Sequence, residues 1–188
     1  MTNKREKLLE AAVFLFAQKG IDATSTQSIS QQAGVGTGTL FKYFANKEVL
    51  IRESYIWSKT RMLDHIFTGL NPEDSVDKIL AHVWDRGIDR TLEHPEEHQF
   101  MQQIKNSPYA DASEHESIKT RYQFFQLALK TAMREGLFED IPVEIAELCF
   151  ATFWGMTVDY VHKSGADPQE IKGMMFSLLM KSLKKSQS

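Results

Sequence analysis

Apolar residues recur along most of the chain with the three- and four-residue spacing of an α-helix, in which such positions share one face. Gly20 follows Lys19 and provides a helix stop, because glycine readily adopts the left-handed backbone conformation that ends helices. We therefore predict a first helix ending near Gly20, with a stripe formed by Leu8, Ala12, Leu15 and Phe16.

Capping residues, glycines and prolines divide the rest of the chain into further helices. Two short helices are predicted, from Ser25 or Thr26 to Ala33 and from Thr37 to Phe44. Further helix starts are predicted at Asn46-Lys47-Glu48, Asn71-Pro72, His94-Pro95, Ile141-Pro142 and Asp167-Pro168, with another helix from about Glu114 to Arg134 after a break at Asn106-Ser107-Pro108. The sequence has no strand or hairpin pattern, so the predicted fold class is all-α.

Length and composition limit the kind of protein. The chain has 188 residues, of which 42% are hydrophobic, and this is enough for one or two small domains with a core. No apolar run reaches the ~18–20 residues that span a bilayer, and the N-terminus lacks the pattern of a signal peptide. Cys149 is the single cysteine and forms no intrachain disulfide, which fits a reducing compartment. We expect a cytoplasmic protein.

Charge is distributed unevenly along the chain. Residues 1–50 carry six Lys or Arg against four acids, whereas the rest carries sixteen against twenty-one. A mildly basic N-terminal segment before an acidic remainder is compatible with binding of a polyanion by residues 1–50, although charge differences of this size also arise by chance.

The stretch GVGTGT, with Gly34, Gly36 and Gly38, suggests a phosphate-binding loop at first. A dinucleotide-binding loop follows a buried strand, but residues 28–33 are too polar for one, and a P-loop would place Lys after its last glycine, where this chain has Thr39. A helix-turn-helix explains the stretch better. Gly34 ends one short helix, and the small residues after it let the next helix approach a DNA groove closely, with its N–H groups towards phosphate.

The N-terminal quarter resembles the TetR-type transcriptional regulators over about residues 7–50. Many positions agree in order and spacing: Leu15-Phe16-Ala17-Gln18-Lys19-Gly20, Ala23-Thr24-Ser25, Ile29, Ala33-Gly34-Val35, Gly38 to Phe44, Lys47-Glu48 and Leu50. Two positions depart from the family pattern. Gly36 lies where a helix-capping serine or similar residue is usual, and Phe41 lies where tyrosine is usual.

The resemblance implies a DNA-binding role for residues of the second and third helices. Ser25 and Thr26 would touch backbone phosphates, Gln27 would enter the major groove, where glutamine can read adenine, and Gly38 would lie near a base edge. The other implied contacts are Thr37 and Thr39 to bases or phosphates, Phe41 to a thymine methyl, and Lys42, Tyr43 and Lys47 to phosphates. The alternatives are a plain helix cap for Ser25, a solvated surface for the lysines and packing against the first helix for Tyr43.

Nothing in the chain indicates an enzyme, a metal site or a cofactor. His94-Pro95-Glu96-Glu97-His98 formally matches a zinc-binding pattern, but that pattern needs both histidines on one helix, and Pro95 is expected at the first helical position. Cys149 lies between Leu148 and Phe150 and is expected to be a core residue.

Aromatic and Met residues are abundant after residue 50, and some are expected to line an apolar ligand cavity while the rest fill a core. His65, His82 and Tyr122 are candidate polar groups for orienting a ligand. The candidate ligand-binding residues are Trp57, Met62, His65, Trp84, Phe100, Met101, Tyr122, Phe125, Phe153 and Trp154.

The last two helices carry apolar residues on more than one side, and we expect one side of each to pack against a second copy of the chain. These residues are Phe150, Phe153, Trp154 and Val158 in one helix and Ile171, Met174, Met175, Leu178 and Leu179 in the other.

The sequence thus predicts a DNA-binding domain at 1–46 and a helical ligand-binding and dimerisation domain at 47–188. The resemblance implies a homodimeric repressor that binds a palindromic operator in double-stranded DNA. A small, mainly apolar effector would release the DNA by moving the helix that begins near Lys47. The alternatives are a regulator that answers to a protein partner or to no ligand, and a helical enzyme.

Overall fold

The computed structural model of the chain describes residues 3–105, 107–109 and 115–185, with Ser117 described by its backbone alone. Within these residues the secondary structure is helical, apart from one isolated antiparallel bridge between Phe138 and Lys184. The predicted all-α class is therefore confirmed. The helices are α1 Lys4–Lys19, α2 Thr26–Gln32, α3 Thr37–Tyr43, α4 Lys47–Phe67, α5 Val76–Glu93, α6 Pro95–Lys105, α7 Glu116–Arg134, α8 Val143–Ser164 and α9 Pro168–Leu183.

Most predicted helix starts and stops lie where capping chemistry placed them. Ser25 caps α2, and Asp167 caps α9 by accepting a hydrogen bond from the Gln169 N–H. Gly20, at φ 85°, follows the end of α1, and its N–H donates to the Phe16 carbonyl oxygen. Positive φ explains the choice of glycine here, because a side chain at this φ is strained.

Pro72 was predicted to open a helix, and this was wrong. The Asn71 side chain accepts a hydrogen bond from the Glu73 N–H, which holds residues 71–74 in a turn. Helix α5 begins only at Val76, after Ser75. A hydrogen bond from the Ser75 side chain lowers the pKa of the Asp77 carboxyl in the first turn. The predicted start of α7 at Glu114 and the break at Asn106 lie outside the described residues.

The helices form two compact units, drawn from Met1–Leu63 with His94–Lys119 (unit 1) and from Asp64–Glu93 with Thr120–Ser188 (unit 2). This grouping differs from the predicted division at residues 46 and 47, because α6 packs on α1. Phe100 of α6 stacks on Phe16 at 5.4 Å between ring centroids, and the Gln103 side chain donates to the Phe16 carbonyl oxygen. The functional division at residue 46 stays a prediction.

Each unit has its own hydrophobic core. In unit 1, α1, α2, α3 and the first part of α4 bury Phe16, Ile29, Leu40 and Leu50 together with Phe100 of α6. In unit 2, Trp84 of α5 lies at the centre of an aromatic cluster with Phe150, Trp154 and Phe176. No helix among the described residues is both long enough and apolar enough to cross a membrane.

Candidate DNA-binding surface and effector residues

The helix-turn-helix of unit 1 is built from α2 and α3, joined by the turn at Gly34. Ile29 and Leu40 are fully buried, and Ala33 and Val35 pack against the same core. Gly34 has φ 66°, the left-handed conformation expected of the residue that ends α2. These four residues therefore form a small core that fixes α3 against α2.

The start of α2 is fixed by its cap. Ser25 Oγ accepts a hydrogen bond from the Ser28 N–H at 3.1 Å, and Ser28 Oγ donates to the Ser25 carbonyl oxygen at 2.7 Å. Ser25 remains exposed. It therefore acts as the N-cap, and its hydroxyl also lies at the surface, where a phosphate could reach it.

Helix α3 begins without a side-chain cap, because its N-cap residue is Gly36. The backbone bonds are present, since the Thr39 N–H donates to the Gly36 carbonyl oxygen at 2.8 Å. A Cβ atom added at Gly36 or Gly38 would meet nothing within 4 Å. Space inside the chain therefore does not require either glycine, and a close approach of DNA stays the predicted reason for Gly38.

The residues predicted to touch DNA lie at the surface of unit 1. Phe41 and Tyr43 are 48% and 46% exposed although both are aromatic, and exposed aromatic side chains beside cations are typical of a binding surface. Thr26, Thr39 and Lys47 are partly buried, whereas the other exposed members of the set are Ser25, Gln27, Thr37, Gly38 and Lys42.

A hollow of about 420 Å³ brings four of the predicted residues together: Ser25, Thr26, Phe41 and Lys47 line it. Lys47 Nζ also donates to the Asp22 carbonyl oxygen at 3.3 Å. This bond ties the start of α4 to the turn between α1 and α2, so Lys47 combines a structural contact with its predicted phosphate contact.

Asn46, predicted to open a helix, also lines this hollow, which was not predicted. Its side-chain oxygen accepts a hydrogen bond from the Val49 N–H at 2.9 Å, which caps α4 beside Lys47. The sequence signal for this cap was available, because Asn is one of the preferred N-cap residues.

The ten predicted effector residues are divided between the two units. Trp57, Met62, Phe100 and Met101 lie in unit 1, and the other six are His65, Trp84, Tyr122, Phe125, Phe153 and Trp154 in unit 2. Phe100 and Trp84 are core residues of their units, since 0% and 2% of their surfaces are exposed. Trp84 Nε1 is also satisfied, because it donates to the Lys172 carbonyl oxygen at 3.0 Å.

The polar side chains predicted to orient a ligand differ in whether they already have a hydrogen-bond partner within the protein. A ring nitrogen of His82 lies 2.8 Å from the Ile66 carbonyl oxygen. His65 Nε2 is buried and has no hydrogen-bond partner among the described residues. Burial and then the charge of Arg86 lower the pKa of His65, so this side chain is neutral at neutral pH.

Tyr122 faces a carboxylate of α8. Burial and then the negative charge of Glu147 raise the pKa of the Tyr122 hydroxyl to about 12, so it stays protonated and donates a hydrogen bond. His65 and Tyr122 are therefore both uncharged at neutral pH.

His94 lies outside α6, which begins at Pro95, as expected from the position of the proline. Within the described residues, no group of three or more His, Cys, Asp or Glu side chains could hold a metal ion. Cys149 is half-buried and packs against the core of unit 2.

Comparison with known proteins identifies the class to which this architecture belongs. The sequence profile of the family "Bacterial regulatory proteins, tetR family" matches residues 8–53, which contain the whole helix-turn-helix. The chain is 31% identical over 136 residues to the uncharacterised HTH-type transcriptional regulator YvdT of Bacillus subtilis, and the match covers 72% of the chain and 68% of YvdT.

The chain belongs to the TetR family of transcriptional regulators. It is also 29% identical over 154 residues to YuxN of Bacillus subtilis, with 80% of the chain aligned to about half (51%) of that protein's length. The repressor KstR2 of Rhodococcus jostii is 25% identical over 157 residues, which are 77% of the chain and 73% of KstR2.

Solved structures show the same fold over most of the chain. A TetR-family regulator from Shewanella matches with a TM-score of 0.85 and 22% identity, over 98% of this chain and 100% of that one. The regulator FadR of Bacillus subtilis, solved in complex with stearoyl-CoA, matches with a TM-score of 0.73 and 18% identity, over 94% and 98% of the two chains.

Proposed function

We propose that this protein is a repressor that binds a palindromic DNA operator as a homodimer and releases it when a mainly apolar ligand binds. The observation that carries the DNA-binding part is the surface formed by α2, α3 and the start of α4. There, Phe41 and Tyr43 are exposed beside Lys42 and Lys47. The Tyr43 ring lies 6.3 Å from the ring of the core residue Phe44, and nearly half of its surface stays open to a partner. The name of KstR2 supports the assignment as a repressor.

The proposed contacts divide into those that position the protein and those that read sequence. Ser25, Thr26 and Lys47 line one hollow and would hold backbone phosphate, together with Lys42 and Tyr43. Gln27, Thr37, Gly38, Thr39 and Phe41 would lie towards the bases in the major groove.

The effector proposal rests on aromatic side chains of unit 2 that are not fully buried, and on two polar side chains of the same unit that carry no charge at neutral pH. Phe125, Phe153 and Trp154 are only partly buried, and Tyr122 and His65 are neutral at neutral pH. The complex of FadR with stearoyl-CoA supports a ligand with a long apolar part. The ligand would release DNA by binding the released conformation more tightly than the DNA-bound one.

Selection of binding sites from random double-stranded DNA tests the proposed function. A homodimer should enrich a palindrome whose half-sites lie about one helical turn apart, with affinity that falls steeply as salt rises. Enrichment of no sequence from a broad library would contradict the proposal.

A matched series of ligands tests the effector class on the selected operator. Long-chain fatty acids and their CoA thioesters should lower operator affinity, and operator should lower their affinity by the same factor. Release only by charged metabolites that lack a long apolar part, such as a sugar phosphate or free CoA, would contradict the apolar effector and leave DNA binding intact.

A further inference from the structure

A second candidate ligand site lies in unit 1, away from the proposed DNA contacts. A groove of about 450 Å³ is lined by side chains of α1, α2, α4 and α6 together with His94. This volume falls within the range of small-molecule sites in proteins. None of the residues predicted to touch DNA lines the groove, and of the predicted effector residues it includes Trp57.

The walls of the groove offer two aromatic side chains. Phe14 is 38% exposed, in contrast with its neighbour Phe16, which is fully buried in the core of unit 1. Trp57 is partly buried and packs against the same core. The exposed phenyl ring and the indole give a flat ligand apolar surface to pack on.

The charges of the groove favour a cation. Glu10, Glu96 and Glu97 supply three carboxylates, against the cations of Lys7 and Arg61. Glu97 is only 5% exposed, and a carboxylate removed from water interacts more strongly with a nearby opposite charge than an exposed one does.

The groove already holds one cation of its own on the aromatic wall. The Arg61 guanidinium carbon lies 4.7 Å from the centre of the Trp57 ring, a cation–π arrangement. Its ion pairs are loose, at 3.7 Å from Nε to Glu97 and 3.8 Å from Nη1 to Glu6, beyond hydrogen-bond distance. Arg61 Nε is buried and has no hydrogen-bond partner within the part of the chain that the structure describes.

We propose that this groove binds a small aromatic cation, an amidinium or ammonium group carried on a flat apolar ring. The ring packs on Phe14 and Trp57, and the positive group lies among the carboxylates of Glu10 and Glu97. Arg61 competes with the ligand for the Trp57 face and repels its charge. The site goes beyond the proposed function, since it depends neither on DNA nor on the effector of unit 2.

Three probes of nearly identical shape test the charge preference: benzamidine is a cation, benzamide is neutral and benzoate is an anion. Titration calorimetry on the full chain without DNA should show one benzamidine per protomer with a Kd of about 1 mM or below, a strength typical of a ligand of this size. Benzamide and benzoate should bind at least about tenfold more weakly.

Substitutions of single charges locate the site by the sign of their effects. Arg61→Gln should tighten benzamidine binding about threefold or more, because it removes a like charge and uncovers the Trp57 face. Glu10→Gln should weaken it by about the same factor. Lys105→Gln and Glu135→Gln make the same charge changes outside the groove and should leave the Kd unchanged.

Circular dichroism confirms that each variant is folded, and Glu10 suits the test because it is exposed. Loss of binding in Arg61→Gln would overturn the proposal, since it would make the groove an anion site. Preference for benzoate, equal Kd values in all four variants, or no saturable benzamidine binding would overturn it as well. None of these outcomes bears on operator binding, so the proposed function is tested separately.

Discussion

At the scale of single residues, Gly87 shows how a position without a side chain can determine the packing of a core. A Cβ atom placed on Gly87 of α5 would lie 1.7 Å from Cη2 of Trp154. The indole of Trp154 packs edge-on against Trp84, and its Nε1 donates to Thr91 Oγ1 at 3.2 Å. Gly87 therefore makes room for the ring that joins α8 to α5.

Gly87→Ala should lower the free energy of unfolding by about 1–3 kcal/mol, the usual cost of forcing extra volume into a packed core. Urea denaturation followed by circular dichroism measures the change. Gly155→Ala is the matched control, because a Cβ there meets nothing within 4 Å and alanine favours the helix. Equal stability of the two variants would show that Trp154 moves aside at no cost.

Lys172 is a second residue whose position the sequence did not indicate. It is 3% exposed, and its Nζ lies 2.6 Å from Asp85 Oδ1 and 2.7 Å from Asp89 Oδ1. Burial alone would lower the pKa of the ammonium, but the two aspartates outweigh it and the pKa of Lys172 is raised. Lysine is usually solvated, and only the spacing of two Asp on one face of α5 offered a hint.

At the scale of elements, helix boundaries were predictable wherever the capping residue acts on its own neighbours in sequence. Ser25, Gly20 and Asp167 are such cases. The prediction at Pro72 was wrong because two polar residues lie close together there. Asn71 forms a turn with Glu73, and the helix begins only after Ser75. The helix-turn-helix was recognisable for the same reason, since all of its residues lie within one short segment.

Helix α3 lacks a side-chain cap, which gives a test of how firmly it starts. Gly36 has φ −67° and ψ 145°, a conformation that other residues adopt freely, and a side chain there meets nothing within 4 Å. Gly36→Ser should be more stable to unfolding than Gly36→Ala by about 1 kcal/mol, because serine can accept a hydrogen bond from an unpaired N–H of the first turn. Thermal unfolding without DNA measures the difference, and equal melting temperatures would mean that the cap does not form.

At the scale of the whole molecule, the last two helices expose the apolar residues that a dimer would use. The α8 residues named from the sequence, Phe150, Phe153, Trp154 and Val158, all lie in or against the core of unit 2, so the exposed side of α8 consists of other residues. Phe150, Val158, Ile171 and Leu179 are buried in unit 2, whereas the exposed apolar side chains of α8 and α9 are Ile145, Leu148, Met156, Tyr160, Met174 and Leu178. The α8 residues recur at helical spacing and form one stripe.

We infer that these stripes pack against the same helices of a second copy, since a large exposed apolar surface marks an interface. Leu178→Glu should convert the dimer to a monomer in sedimentation at micromolar concentration, because it would bury a charge without a partner. Leu127→Glu changes a leucine of α7 that is also exposed, at 56% against 46% for Leu178, and should leave the dimer intact. A monomeric parent protein would contradict the inference.

Sequence patterns could not predict the unit 1 groove, because it combines residues from positions 7–14, 32–33, 57–61 and 94–97. A helical stripe predicts which side chains face a core, but it carries no information on which other helix lies opposite. Phe14 was the one available signal, since it lies off the stripe of Leu8, Ala12, Leu15 and Phe16 in the same helix.

The central claim is that the surface around α2, α3 and Lys47 binds operator DNA, and the salt dependence of operator affinity tests it most directly. Fluorescence anisotropy on the selected operator should give a log K that falls linearly with log salt. Lys47→Ala should weaken binding about tenfold and reduce the slope by about one for each phosphate that this lysine neutralises, while Lys105→Ala leaves both unchanged. Equal affinity and slope in Lys47→Ala and the parent protein would contradict the account.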